Sequence, residues 1–307
     1  MARTEFSSTP AVTRRAQARL GILLVAPVML LVALFFLLPL VSAIYFSLVD
    51  FHGFEVDPPF IGADNFVELA GDPAVWPALV NNVIWIVAGT VGPLLIGLLV
   101  ALLLWHVRRG STFYRLAFFV PYILPAAAVG VVWSWVYDPI RGWLNRAMEL
   151  VGLGGLTTGW LGDPNTALWA VLATAIWTAV GFVVVIFLAA LRNVDPELIE
   201  AARIDGANAP QRLWYVILPQ IMPVFLMVTT ITLIGGFAVF DIIFVMTGGG
   251  PANATEVLGT YAYDSAFRLN RMSYGTALAL VITVLAIPFT IGLNRLQRRW
   301  SLYGTGA

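Results

Sequence analysis

Six long apolar stretches alternate with polar segments along the chain, at residues 20–48, 79–106, 116–137, 167–191, 221–246 and 273–296. Each is long enough for the roughly 20 residues a helix needs to cross a bilayer core. The pattern predicts an all-α, polytopic membrane protein with six transmembrane helices. A basic segment, residues 1–19, precedes the first stretch, and a short tail, 300–307, follows the membrane domain at 20–299. The first stretch is too long for the about 7–15 apolar residues of a cleavable signal peptide, and it lacks a small-x-small cleavage site. It reads as a retained span.

Breaks inside the apolar stretches are as informative as their lengths. Pro27 and Pro39 predict a distorted first span. Pro121 and Pro125 lie one turn apart in the third, removing two backbone donors and predicting a deformable or broken helix. Trp105, and the group Trp133, Trp135 and Tyr137, have the character of interfacial anchors, and His106 that of an interfacial loop residue. Asn81 and Asn82 start the second span, where their amides can cap the helix or line an opening. In the fifth span Gly235-Gly236 allows close packing or a hinge. Asp241, five residues before Met246, is expected roughly 7–8 Å below the outer end of that helix. An ionisable side chain at such depth is a functional-site candidate, either as a solute contact or as a satisfied structural acid. Glu256, Asp264, Arg268 and Arg271 in the last loop read as a solvated surface.

Composition narrows the chemistry. The chain is 60% hydrophobic and 11% charged, against roughly 25% charged for a soluble domain. Cysteine is absent, which excludes disulfides, thiolate metal sites and cysteine nucleophiles. All 17 basic residues are arginine. A phosphate-cradling Walker loop needs a lysine, so any ATP hydrolysis driving this protein belongs to another polypeptide. Of the arginines, 13 fall in the N-terminal segment, the 108–115 loop, the 192–212 loop and the tail, and four in the alternate loops. The positive-inside rule puts both termini and the central loop in the cytoplasm. No His-Glu-x-x-His motif, catalytic Ser-His arrangement or paired acids suggest an intramembrane enzyme.

The central cytoplasmic segment, residues 195–219, carries the densest punctuation. Asp195 is a good N-cap, Pro196 suits the first helical position, and Glu197 and Glu200 sit near the positive end of the dipole. Gly206 is a natural stop, and Pro210 fits the first turn of a second helix capped by Asn208 or Ala209. Leu198, Ala201, Ala202 and Asp205 share one face, low and apolar, with Glu200 and Asp205 expected to flank it with charge. Such a helix suits the groove of a soluble partner.

This segment resembles the Glu-Ala-Ala motif of permease subunits of binding-protein-dependent ABC importers: Glu200-Ala201-Ala202, then Gly206, then Leu218-Pro219, at the family's spacings, with Val216 where isoleucine is usual. Elsewhere the sugar-type branch is resembled by Phe60-Ile61-Gly62-Ala63-Asp64-Asn65-Phe66, by the order of Arg115, Pro121, Pro125, Trp133, Gly142, Asn145, Trp160 and Leu161, and by Phe240-Asp241-Ile242-Ile243-Phe244-Val245-Met246-Thr247-Gly248-Gly249-Gly250-Pro251.

The resemblance implies a type I ABC importer permease fold with a cytoplasmic coupling helix, in a prokaryotic plasma (inner) membrane. It implies docking of an ATPase by Glu200, Ala201, Ala202, Asp205 and Gly206. The implied partners are a second homologous permease, two ATP-binding subunits, an extracytoplasmic solute-binding protein and membrane lipid, with no nucleic acid. This chain itself would bind no cofactor, ATP and Mg being held by the partner ATPase subunits. The expected cargo is a sugar, oligosaccharide, polyol or glycerophosphate compound, moved by alternating access. Candidate pathway residues are Asn82, Tyr122, Trp133, Trp177, Phe240 and Asp241. Two other readings stay open at this point: an ion-coupled secondary transporter using Asp241, and a non-transporting scaffold that docks a cytoplasmic protein.

Overall fold

A computed structural model describes residues 11–107 and 109–303. Residues 1–10 of the basic N-terminal segment, Arg108, and residues 304–307 of the tail lie outside the described residues. Helices account for nearly all regular structure; among the described residues the only extended pairing is a single bridge between Val49 and Phe60.

Among the described residues five helices are long and apolar enough to cross a membrane, and a bent pair is long and apolar enough, taken together, for a sixth crossing. The first span begins at Ala11, within the basic segment, as α1 (Ala11–Val32) and continues through a π-helical turn over Ala33–Leu37 into α2 (Leu38–Ser47). The π turn leads directly into Pro39, which follows the distortion expected there. A short helix, α3 (Asp64–Gly71), leads to the second span, α4 (Val75–Trp105). The third span is broken into α5 (Ser111–Ile123) and α6 (Ala126–Val136), at 98° to one another. The break follows from Pro125. Its ring disfavours helical geometry at the residue before it, and Leu124 is extended (φ −70°, ψ 139°). Pro121, by contrast, is accommodated inside α5.

After the outer helix α7 (Trp143–Leu150) comes the fourth span, α8 (Ala167–Leu191). It is the most enclosed of the spans and the axis of the fold. Gly97 of α4 faces Val183 so closely that a side chain there would collide with it, and Gly181 of α8 meets the Phe118 carbonyl of α5. These small residues let the backbones touch. Around them lie two cores, one of Leu94, Phe187, Leu191 and Ile221 toward the α9 end of α8, and one of Trp85, Leu172, Ile243 and Val257 toward its other end.

Two short helices, α9 (Pro196–Ile204) and α10 (Ala209–Arg212), follow α8, and a π-helical turn over Leu213–Ile217 leads into α11 (Leu218–Phe237). The fifth span differs from the expected continuous helix. It stops at Phe237, the chain unwinds over residues 238–240, and α12 (Asp241–Met246) starts anew. Gly235 and Gly236 precede the break, with Gly236 seated against the Ile86 backbone of α4, while Phe240 takes a non-helical geometry (φ −152°, ψ −63°). α12 then packs on α6 and α8. The chain closes with α13 (Leu258–Tyr263), a π-helical turn over Asp264–Arg268 and the sixth span, α14 (Met272–Tyr303). Within the first span α2 packs along α14, and the described apolar residues of α1, from Leu20 to Val32, are exposed.

Candidate functional site

The α9–α10 pair is tied by hydrogen bonds at every end. The Asp195 carboxylate accepts from the Glu197 N–H at 2.8 Å, and the Asp195 N–H donates to the Gln220 side chain at 3.0 Å, fixing the pair to the root of the fifth span. At the other end of α9 the Gly206 N–H donates to the Arg203 carbonyl (3.1 Å) and the Ala207 N–H to the Ala202 carbonyl (2.9 Å). These two bonds form a Schellman cap, which needs a left-handed residue, and Gly206 supplies it with φ +81°. Asn208 and Gln211 then cap α10 reciprocally, at 2.9 and 2.8 Å, and the Arg212 guanidinium donates to the Ala207 carbonyl at 2.7 Å. The pair is therefore a preformed knob whose geometry needs no partner to set it.

Helical spacing gives α9 two distinct sides. Leu198, Ala201 and Asp205 are exposed and Ala202 is half-buried, and the four project from one side. Ile204 beyond them is 87% exposed. Pro196, Ile199, Glu200 and Arg203 project from the other side and line a groove. Glu200 thus departs from its expected place. It does not flank the Leu198–Ala201–Asp205 side but lies on the opposite one, because a residue one position before Ala201 is turned about 100° from it.

The six pathway candidates separate into three places. Tyr122, at the end of α5, stacks on Phe182 (centroids 4.9 Å apart). Trp133 meets Trp177 edge-on at 5.2 Å. Trp177 lines a cavity of about 600 Å³ with Pro121, Phe118 and Ile96, beside the broken third span. Phe240 and Asp241 sit at the break in the fifth span. There Phe240 joins an aromatic row with Phe244, Tyr263 and Phe267, neighbouring rings 5.0–5.4 Å apart. Asp241 is exposed, the first residue of α12, and its carboxylate makes no hydrogen bond or ion pair with the described residues. It is not the buried mid-helix acid expected from the apolar run, because the helix does not run through it. Asn82 is buried, and its side-chain oxygen accepts from the Leu258 N–H at 2.8 Å. It anchors the start of the segment from Leu258 on.

The buried acid lies elsewhere. Glu256, read from sequence as surface, is 6% exposed, and its Oε1 has no hydrogen-bond partner. Burial raises its carboxyl above the ordinary range, and Asp264 adds to the rise. It presses on Gly249, where no side chain would fit. Asn81 clamps the Glu256 and Ala254 carbonyls, at 2.8 and 3.1 Å. Thr255 bridges Thr247 (2.7 Å) and the Gly250 carbonyl (2.8 Å). A second outer network centres on Asp72, which accepts from the hydroxyls of Tyr261 and Tyr274. Burial alone would raise Asp72, but these bonds and the Ala74 N–H hold it below the usual carboxylate range. Tyr261 is pushed up to about 12 by burial and by donating to Asp72. An Arg271–Glu68 pair ties α3 to the start of α14. The asparagine pair at 81–82 was the visible signal for the outer clamp; Asp72 and the tyrosines carried none.

The family model of binding-protein-dependent transport system inner membrane components matches residues 93–302. A probable ABC transporter permease protein of Bacillus subtilis (strain 168), YurN, is 35% identical over 260 residues, covering 84% of this chain and 89% of that one. The probable starch degradation products transport system permease protein AmyD of Thermoanaerobacterium thermosulfurigenes is 31% identical, covering 90% and 94%. A chain of a bacterial alginate ABC transporter, solved with an alginate pentasaccharide-bound periplasmic protein, superposes with a TM-score of 0.81 at 21% identity over 94% of this chain and 97% of that one. The fold, the capped helix pair between the fourth and fifth spans and these likenesses agree: this multi-pass membrane chain belongs to the binding-protein-dependent transport system inner membrane components, as an ABC importer permease and not an enzyme.

Proposed function

We propose that the chain forms one half of the membrane path of an ATP-driven importer for a carbohydrate or related polar solute. The solute is delivered by an extracytoplasmic binding protein, a second homologous permease completes the path, and two partner subunits bind ATP and Mg. The observation that carries this reading is the self-capped α9–α10 pair, with its exposed Leu198–Ala201–Asp205 side aimed away from the fold. Glu200, Ala201, Ala202, Asp205 and Gly206 form the docking element, Ala201, Ala202 and Asp205 by contact, Gly206 by fixing the cap, and Glu200 from the edge of the groove. Both termini lie in the cytoplasm, on the side rich in arginine.

The two broken spans support a path between them. Unwound backbone at membrane depth is tolerated where it lines a cavity or is covered by protein, and in transporters such breaks mark the solute route. Tyr122, Trp133, Trp177 and Phe240 offer flat faces for the C–H side of a sugar ring, and the unpaired Asp241 carboxylate accepts hydroxyl hydrogen bonds. A relative aligned over 90% of this chain is named for the transport of starch degradation products, which supports the solute class. Closure of the ATPase pair moves the two docking knobs together, and the membrane helices follow to expose the path outward. The test is uptake of a panel of labelled sugars into proteoliposomes holding the whole complex. Uptake that needs internal Mg-ATP and the external binding protein, and that ignores an uncoupler, is expected. Uptake without ATP that an uncoupler abolishes would replace this reading with ion coupling.

A further inference from the structure

The side of α9 turned away from the exposed Ala201 face closes a groove of about 490 Å³. Its walls differ in kind. Leu102 and Trp105 end the second span, and Leu213 and Ile217 lie at the root of the fifth, so one wall is the apolar rim of the membrane domain. The other wall is cytoplasmic and carries Arg203 and Arg212 beside Glu200. The Arg203 side chain is exposed, and its guanidinium makes no hydrogen bond or ion pair with the described residues. Arg212 uses one N–H on the Ala207 carbonyl and keeps the rest of its five donors. An occupant must therefore be apolar at one end and anionic at the other, and must reach the groove from the bilayer edge. Tryptophan at a span end marks that edge, and arginines just beyond it attract anionic headgroups.

We propose that this groove binds an anionic glycerophospholipid, its phosphodiester held by Arg203 and Arg212 and its acyl chains running along Leu102, Leu213 and Ile217. The ATPase-facing side of α9 is left uncovered, so one helix carries both contacts on opposite sides. A lipid wedged under α9 sets the height of the docking knob above the membrane. The inference does not depend on which solute is carried.

The experiment uses the full complex purified in mild detergent, incubated separately with phosphatidylglycerol and phosphatidylcholine, and read by native mass spectrometry. Wild type is expected to retain phosphatidylglycerol over phosphatidylcholine. Arg203→Gln should lower that retention by about fivefold, the effect of one basic group near a membrane surface, and Arg203→Lys should keep most of it. Equal retention of both lipids, or no change in Arg203→Gln, would overturn the proposal. So would displacement of the lipid by inorganic phosphate at equal concentration, which would make this a free-anion site. Loss of the ATPase from Arg203→Gln with unchanged lipid content would assign the groove to the protein partner and also overturn it.

Discussion

Gly206 offers the sharpest quantitative test of the docking element. Its φ of +81° is the conformation a side chain disfavours, and a Cβ built there has nothing within 4 Å. The cost of Gly206→Ala is therefore one of local backbone alone, about 1–2 kcal/mol for a left-handed residue. That is roughly a 5–30-fold fall in the ratio of molecules holding to molecules lacking the Gly206–Arg203 and Ala207–Ala202 bonds, and so an upper bound on the loss of the capped state. The α9–α10 angle depends on those bonds, since Asn208 and Arg212 cap the second helix from the residues just after the turn. Solute uptake per ATP hydrolysed, in proteoliposomes with equal protein incorporation, is expected to fall by at most that factor. Gly206→Asn should recover most of it, because asparagine tolerates the left-handed region. If alanine and asparagine behave alike, or if alanine leaves coupling unchanged, the cap does not set the docking geometry and the reasoning fails.

Other substitutions probe the rest of the frame. Gly181→Ala places a Cβ 1.9 Å from the Phe118 carbonyl; it should force α5 from α8 at a cost of about 1–3 kcal/mol, visible as a lower melting temperature of the purified complex. Glu256 has its folded pKa raised. The stability it contributes is fully present below the unfolded carboxyl value and is lost as pH rises through the folded one. Glu256→Gln should flatten the acid-to-neutral slope of thermal stability; an unchanged slope would mean that Glu256 is not the titrating group. Asp72 carries the opposite sign: its folded pKa is lowered, so its contribution is present above the unfolded value and is lost as pH falls through the folded one. Asp72→Asn should loosen the contact of α3 with α13 and α14 and speed hydrogen exchange there, with a cost of about 1–3 kcal/mol.

Much of this architecture was readable before any coordinates. Apolar run length marked the crossings because a bilayer imposes it, and Pro125 marked the break because its effect on Leu124 is local. The caps of α9 and α10 were equally legible, since Asp195, Gly206 and Asn208 act within four residues of themselves. Asp241 was misplaced because an apolar run does not reveal where a helix unwinds. Ile242 and Val239 are as hydrophobic as a continuous span requires, and the break depends on Gly236 meeting Ile86 from another helix. Glu256 was missed for a related reason. Its backbone carbonyl is held by Asn81, 175 residues away in sequence, a contact that no local pattern reveals. Glu200 lies on the groove side of α9 rather than beside Ala201, because one residue step turns about 100° on a helix and adjacency in sequence is not adjacency on its surface.

The central claim is that the exposed side of α9 docks a nucleotide-hydrolysing partner. A photo-crosslinking residue at Ala201, in the full complex in native membranes, tests it most directly, with the same group at Val80, exposed on the second span, as the comparison. The account predicts that position 201 captures an ATP-binding subunit in high yield and that the yield changes when ATP is trapped, while position 80 captures none. Capture of lipid alone at 201, or an equal yield of the ATPase from both positions, would contradict it.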